Sequence, residues 1–361
     1  MLFLFTIDPN IFSSNIDKSL EEDLNDIFLY WKKVGVLVVL NPNPSISELY
    51  KSIKSCKIPS IKQKWSSGLI PDKMRQISTE LNFEDLWNQG GTNEIFIGDD
   101  KVEIAVISEK NIKNFKLKLS QLPKQINCID YLCIAKQFRR LDKITDSENL
   151  CNMPLPSQLA NAEVWSTRYR KIINYSKIIH IYDRYCVDSF INKRKYGNDN
   201  SGLEQFIRRI ASNSSHKDKY IKIRSAIQLE EEFKKSTDKD LLRKKFNEKV
   251  LFIEKEMNEV FKELIATTSV KEIDVQLVLD KDFGSIEHYR HIRFDDYNII
   301  VIDKGLSHFE GSSVRQTTPF QYLPWKSLLS KSFEEDEKLL EEKFHSSNGG
   351  KFKLPQLKPT L

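Results

Sequence analysis

The sequence predicts an α/β fold arranged in two domains. Short apolar runs alternate with segments whose apolar residues recur at helical spacing, a pattern typical of strands joined by helices. The chain has 361 residues, which is more than one hydrophobic core usually serves. Its apolar content of 40% is high enough for two packed cores. We place the domains at residues 1–155 and 156–345, with a flexible tail at 346–361.

The first domain alternates strands with helices and has no assigned role. Its expected strands cover residues 2–7, 36–40, 94–97 and 102–107. Its expected helices are residues 16–33 and a segment opened by Ser45-x-x-Glu48, which has the spacing of a capping box. The last two strands form either a hairpin or two successive strands, and the sequence leaves both open.

The second domain shows the same alternation with a longer helical segment. Its expected strands cover residues 178–182, 220–224, 273–279, 288–294 and 298–302. Its expected helices cover residues 201–211, residues 229–265 with a break near Ser236, and an acidic stretch at 334–342. Prolines 154 and 156 mark the expected boundary between the two domains.

The spacing His288-x-Arg290-x4-Asp295 is the motif that carries chemistry. Residues two apart in a strand point to one face, so His288 and Arg290 are expected to share a surface. A guanidinium binds phosphate oxygens through two parallel hydrogen bonds. An imidazole beside it can contact the same phosphate or act on it. The motif therefore predicts an anion-binding surface.

Residues 288–309 resemble the signature of the phospholipase D superfamily, in which a His, a cation and an acid precede an apolar strand. They are also similar to the phospholipase-D-like domain at the C-terminus of MIT-domain proteins. The matching residues are His288, Arg290, Ile292, Arg293, Phe294, Gly305, Leu306 and Phe309. The resemblance covers about half of the chain and implies a phospholipase-D-like fold for residues 156–345.

The resemblance implies three alternative roles for the motif. In catalysis, His288 would attack phosphorus, Arg290 would hold the phosphate and Asp295 would support the site. A second His would come from a symmetric homodimer partner or from elsewhere in the chain, where the candidates are His180, His216, His291, His308 and His345. In binding without catalysis, which is typical of the MIT-protein domains, the same residues would only hold an anion. In a structural role, they would order the strand. Arg290 stands where active members have Lys, and the motif occurs once.

Basic residues cluster in the second domain and predict contacts with phosphate groups or nucleic acid. The predicted set is Arg184, Lys193, Arg194, Lys195, Arg208, Arg209, Arg293 and Lys304. Lys217, Lys219, Lys222 and Arg224 extend the same basic stretch. A solvated charged face is the alternative interpretation. The net charge of +5 permits an anionic partner without requiring one.

The sequence predicts neither a cofactor nor a metal site. The five cysteines lack metal-ligand spacing, and the glycines form no nucleotide-binding loop. A weaker alternative places a divalent metal at the strand ends of the first domain, on Asp8, Glu48, Asp99 and Asp100, as in PIN-like nucleases. No apolar run is long enough for a transmembrane segment, so we expect a soluble, cytoplasmic protein.

The resemblance also implies a biological setting. Bacterial proteins that join such a domain to an unrelated N-terminal domain look like parts of multi-gene antiviral systems. We therefore expect an accessory or effector subunit of a defence complex, which engages nucleic acid or a protein partner. One alternative is a phosphodiesterase, most simply a nuclease that is active as a dimer. The other is a module that binds acidic lipids or serves as a scaffold.

Overall fold

The structure is a computed structural model that describes eleven stretches of the chain. These are residues 1–13, 15–71, 73–79, 96–97, 100–113, 131–197, 201–213, 217–234, 236–283, 290–345 and 349–355. The fold class is α/β, as the sequence predicts. The chain divides into two compact units, Met1–Cys151 and Asn152–Leu361, close to the boundary expected at residue 155.

The first unit contains a five-stranded parallel sheet. Numbered in chain order, its strands are β1 (Phe3–Ile7), β2 (Gly35–Leu40), β3 (Gln76–Thr79), β6 (Ile104–Val106) and β7 (Tyr131–Cys133). They lie in the order β3-β2-β1-β6-β7, and every neighbouring pair is parallel. A short hairpin joins β4 (Phe96–Ile97) to β5 (Asp100–Lys101). Residues 96–97 and 100–101 therefore pair antiparallel with each other, while residues 104–106 form a separate strand of the sheet.

Five helices of the first unit are described. They are α1 (Asn10–Ser13), α2 (Lys18–Lys33), α3 (Glu48–Ser55), α4 (Pro59–Gly68) and α5 (Asp142–Asn152). Helix α3 begins differently from the prediction, because its N-cap is Ser47, whose side chain accepts from the Tyr50 amide. The capping box at Ser45 and Glu48 is thus wrong. The reason is that Pro44–Ile46, directly before Ser47, form a separate 3₁₀ turn.

The second unit is built on a seven-stranded mixed sheet. Its strands are β8 (Ile178–Tyr182), β9 (Lys219–Ile227), β10 (Val270–Leu279), β11 (His291–Phe294), β12 (Asn298–Ile302), β13 (Phe320–Pro324) and β14 (Gly350–Leu354). They lie in the order β13-β12-β11-β8-β9-β10-β14. The β8–β9 and β9–β10 pairs are parallel, and the other pairs are antiparallel.

Eight helices of the second unit are described. They are α6 (Asn161–Val164), α7 (Arg170–Asn174), α8 (Cys186–Lys195), α9 (Gly202–Ser212), α10 (Glu231–Lys234), α11 (Lys239–Thr267), α12 (Asp280–Phe283) and α13 (Lys331–His345), with a π-helical turn at Trp165–Tyr169. The break expected near Ser236 lies between α10 and α11, where Asp238 caps α11. Helix α11 buries residues at spacings of three and four.

The flexible tail predicted for residues 346–361 needs correction over part of its length. Residues 350–354 form β14, which pairs antiparallel with β10. Phe352 and Leu354 are buried, so alternate residues of this segment face the core. The Gly, Pro and Lys content suggested mobility, but the alternation of Phe352 and Leu354 with lysines also fits a half-buried edge strand. Residues 346–348 and 356–361 lie outside the described stretches.

Candidate phosphate-binding site

Arg290 lies just before β11, at the carboxyl end of β8. Its Nη1 donates to the backbone oxygen of Asp303 at 3.1 Å, and its Nε lies 3.7 Å from Oδ1 of Asp183. Asp183 is buried and accepts hydrogen bonds from the amides of Tyr185 and Leu306. Burial raises the pKa of the Asp183 carboxyl, and the charge of Arg290 offsets part of that rise. Asp183 thus fixes the guanidinium at the sheet edge.

Tyr185 is flanked by two guanidinium groups. The Arg290 guanidinium lies 5.1 Å from the ring centroid and the Arg184 guanidinium lies 5.3 Å from it. Arg184 also donates to Oδ1 of Asp280 at 2.7 Å. Tyr185 itself remains 36% exposed, so the cation–aromatic cluster faces solvent.

Two further lysines of the predicted set lie beside this cluster. Lys304 is exposed and follows Asp303, whose carbonyl binds Arg290. Lys193 lines a cavity of about 570 Å³ together with Tyr185 and Tyr196. We define the Arg290 surface as Arg184, Tyr185, Lys193, Arg290 and Lys304.

Asp295 is separated from Arg290 by the whole of β11. Its carboxylate accepts from the amides of Lys177 at 3.0 Å and Ile178 at 2.7 Å, at the opposite end of β8. Five residues of extended chain span roughly 17 Å, so the two side chains do not share one site. Asp295 adopts a φ of +49° in the turn between β11 and β12 and acts there as a cap on β8.

His288 lies outside the described residues. The described strand begins at His291, so Arg290 precedes the strand and its side chain turns to the sheet edge. Because His288 is outside the described residues, its sharing of a face with Arg290 stays a prediction.

The other predicted basic residues are distributed over several surfaces. Arg194 pairs with Glu256 at 2.9 Å, and Arg208 pairs with Glu204 at 2.8 Å. Arg209 lies about 6 Å from the rings of Trp165 and Phe309. Lys195 is exposed at the end of α8. The structure does not bring these four residues to the Arg290 surface through any described contact.

Arg293 lies on the face of the sheet beneath α13 and is mostly buried. Its Nε donates to both carboxylate oxygens of Glu337, at 2.9 and 3.1 Å, and the Nε2 of His291 lies 2.9 Å from Oε1 of the same residue. Burial alone would raise the pKa of Glu337. The His291 hydrogen bond and the charge of Arg293 outweigh that effect, so the pKa is lowered overall.

The sequence contained a signal for this second cluster. The spacing His-x-Arg occurs twice, at His288-x-Arg290 and again at His291-x-Arg293. Only the later pair lies within the described strand, where the two side chains reach one carboxylate on α13. The two His-x-Arg pairs follow one another directly, so the second pair was an available alternative to the first.

Two other basic residues of the predicted stretch are buried and structural. Lys219 donates to the carbonyls of Asn174 and Ser176, and burial lowers its pKa to about 7. Arg224 donates to Glu341 at 2.9 Å and to Asp274 at 3.1 Å. Neither side chain is available as part of an exposed basic patch.

Asp8, in the first unit, lies where β1 ends beside β6. Its carboxylate accepts from the amide of Asn10 and, within about 3.0 Å, from the amide and hydroxyl of Ser108 and from Asn111. Glu48 is exposed at the start of α3, and Asp99 lies outside the described residues. Within the described stretches, no group of three or more His, Cys, Asp or Glu side chains could hold a metal.

A cavity of about 550 Å³ opens beside Asp8, between α1, α2 and the segments that follow β6 and β7. Its lining includes Asn10, Asp17, Ser108, Asn111 and Lys136. In parallel sheets whose strand order reverses, as this one does between β1 and β6, such crevices are common places for ligands.

No protein-family model matches this chain, and no curated protein matches it significantly. Within the described residues, no helix has the length and apolar character that crossing a membrane requires.

Proposed function

We propose that the chain is an accessory or effector subunit of a prokaryotic antiviral defence system, and that it binds nucleic acid through the Arg290 surface. The antiviral role rests on the resemblance of residues 288–309 to phospholipase-D-like domains. The choice of nucleic acid as ligand rests on geometry. The observation that carries it is the partly exposed Tyr185 ring, which has the guanidinium groups of Arg184 and Arg290 within 5.3 Å of its centroid.

The Arg290 surface has the N–H donors and the positive charge that bind a phosphate backbone. Arg290 uses one N–H on the carbonyl of Asp303 and has a longer ion pair with Asp183, which leaves further N–H groups for phosphate oxygens. Lys304 and Lys193 add positive charge at the same edge, although Lys193 is 3.3 Å from Glu310. Tyr185 and the exposed Tyr196 add aromatic edges and faces for unpaired bases. Single-stranded nucleic acid has both phosphate groups for the cations and unpaired bases for the aromatic rings.

A salt titration tests this proposal. Fluorescence anisotropy with labelled single-stranded RNA and DNA is measured for the full chain, for Arg290→Gln and for Tyr185→Leu. We expect Arg290→Gln to reduce the slope of log affinity against log salt by about 0.7, which is the change for one lost phosphate contact on a single strand. Tyr185→Leu should weaken binding at every salt concentration, since stacking is insensitive to salt.

Lys262→Gln is the matched control, because Lys262 is an exposed cation on α11 with no part in the Arg290 surface. Equal affinities for the chain and both test variants would reject nucleic acid as the ligand. Proteins that co-purify with the chain from its native host, and are lost in Arg290→Gln, would then identify the surface as a protein-binding one. Metal-independent cleavage that disappears in His288→Ala would support the nuclease alternative.

A further inference from the structure

A cleft of about 530 Å³ lies between α13 and the sheet of the second unit. Cross-strand pairing places the side chains of its floor in two rows. Arg293 is next to His180, and His180 is next to Lys222, across β11, β8 and β9. In the second row, Tyr182 lies between His291 and Arg224 on the same three strands. The floor is therefore a continuous polar surface, which is unusual for a sheet face that a helix covers.

Part of this floor is neutralised by α13. Glu337 binds His291 and Arg293, and Glu341 accepts from Arg224 at 2.9 Å and from the hydroxyl of Tyr182 at 3.1 Å. Each carboxylate thus has two partners on the sheet, which lie on β11 for Glu337 and on the neighbouring strands β8 and β9 for Glu341. A buried charge is tolerated when it is paired and hydrogen-bonded in this way.

His180 and Lys222 are the neighbouring donors that no carboxylate of α13 reaches. Arg293 donates from Nη2 to Nδ1 of His180 at 3.2 Å, so the ring carries its proton on Nε2. Burial and the charges of Arg293 and Lys222 lower the pKa of His180 to about 2, which keeps the ring neutral. Among the described residues, neither Nε2 of His180 nor Nζ of Lys222 has a hydrogen-bond partner. His180 is only 8% exposed, and both side chains line the cleft.

The roof of the cleft limits the size of a ligand. Helix α13 is anchored by Phe333, Leu340 and Phe344, all buried in the core of the unit. A polymer lying across the sheet would have to displace that helix and its apolar contacts. Lys326, Lys338, Glu334 and Glu342 also line the cleft, and these four side chains carry two charges of each sign. The groups that attract an anion are therefore the cationic and imidazole side chains of the floor.

We infer that this cleft binds the oxyanion group of a small molecule through Nε2 of His180 and Nζ of Lys222. The donor pair repeats the arrangement beside it, where an imidazole N–H and a cation on the sheet bind the Glu337 carboxylate. A carboxylate and a phosphate present the same acceptor oxygens to such a pair. The inference is independent of nucleic-acid binding at the Arg290 surface, because the two sites share no residue.

The test uses inorganic phosphate and acetate as separate probes of the full chain. Calorimetric titration gives the affinities, and NMR of the imidazole nitrogens reports on His180 itself. Binding of either probe supports the inference, and the tighter one identifies the class of oxyanion. We expect Lys222→Met to weaken binding about tenfold or more, as for the loss of a hydrogen bond to a charged group. His180→Asn should weaken it as well, because Asn keeps an acceptor for Arg293 but has no donor at the Nε2 position.

Lys262→Met, the exposed cation on α11, is the control and should bind like the unchanged chain. Thermal unfolding of each variant establishes that the cleft is intact. If neither probe binds, or if folded Lys222→Met and His180→Asn both bind as the unchanged chain does, the inference is wrong.

Discussion

The close approach between Gly305 and Asp183 holds the Arg290 surface in place. Gly305 has a φ of +55°, and a Cβ at this position would lie 2.0 Å from Oδ2 of Asp183 and 2.7 Å from Cδ of Arg290. The amide of Leu306, the next residue, donates to Oδ2 of Asp183. Glycine therefore meets two separate requirements here, a left-handed backbone and space for the carboxylate.

Gly305→Ala should destabilise the chain by more than its backbone conformation explains. The left-handed conformation costs a non-glycine residue about 1–2 kcal/mol, and the forced displacement of Asp183 adds about 1–3 kcal/mol. Gly197→Ala is the matched control, because Gly197 has a φ of +65° and a Cβ there meets nothing within 4 Å. Urea unfolding measures both variants. Equal losses of unfolding free energy would mean that Asp183 moves aside without cost.

The sequence identified Arg290 as a residue of interest but did not identify the carboxylate that lies beside it. Arg290 was expected to hold a phosphate with Asp295 supporting the site, but the carboxylate beside it is Asp183, which follows β8, and not Asp295. A motif gives spacing along the chain. The partner of a side chain at a strand end depends on which strands pair, and that is a non-local property.

Helix α13 is the element whose role differs most from its sequence pattern. The stretch 334–342 was expected as an acidic helix, and it does form part of α13. Glu337 occupies the buried stripe with Phe333, Leu340 and Phe344, at spacings of four, three and four residues. An acidic residue in an apolar stripe was the available signal that this helix faces a cationic surface.

Replacing Glu337 should uncouple α13 from the sheet. Glu337→Gln removes the charge that pairs with Arg293 and His291, and breaking a buried pair typically costs about 3–5 kcal/mol. Because Gln keeps one acceptor, we expect a loss near 3 kcal/mol of unfolding free energy in urea. Glu335→Gln is the control, since Glu335 is exposed and 3.9 Å from Lys331, and it should change stability by less than about 0.5 kcal/mol. A similar loss in both variants would contradict a buried pair.

Most strands and helices could be predicted from local apolar periodicity, including β1, β2, β8 and β12. Their order in the sheet could not, because β11 inserts beside β8 although β9 and β10 come earlier in the chain. The two rows of the α13 cleft depend on that order. This is why His180, Lys222 and Arg224 gave no sequence signal as one surface.

For the whole molecule, the chain divides into two compact units, and we expect each to respond to its own substitutions. Asp8→Asn removes the carboxylate that accepts from Ser108 and Asn111 at the junction of β1 and β6. We expect a loss of about 2 kcal/mol confined to the unfolding of the first unit.

Calorimetry measures the unfolding of both units and resolves them if their transitions separate. Asp17→Asn is the matched control, because Asn is as good an N-cap as Asp at the start of α2. A shift of every transition by Asp8→Asn would show that the units unfold together.

The pairing of β14 with β10 has a consequence for synthesis. Residues 270–279 leave the ribosome well before residues 350–354, and at ~5–20 residues per second the delay is several seconds. During that interval β10 has a row of unpaired backbone amides and carbonyls, which is a template for pairing with another chain. A slow codon or a premature stop between these segments would prolong that exposure. Chaperone demand during translation should therefore depend on the seventy-odd residues that precede the closing strand.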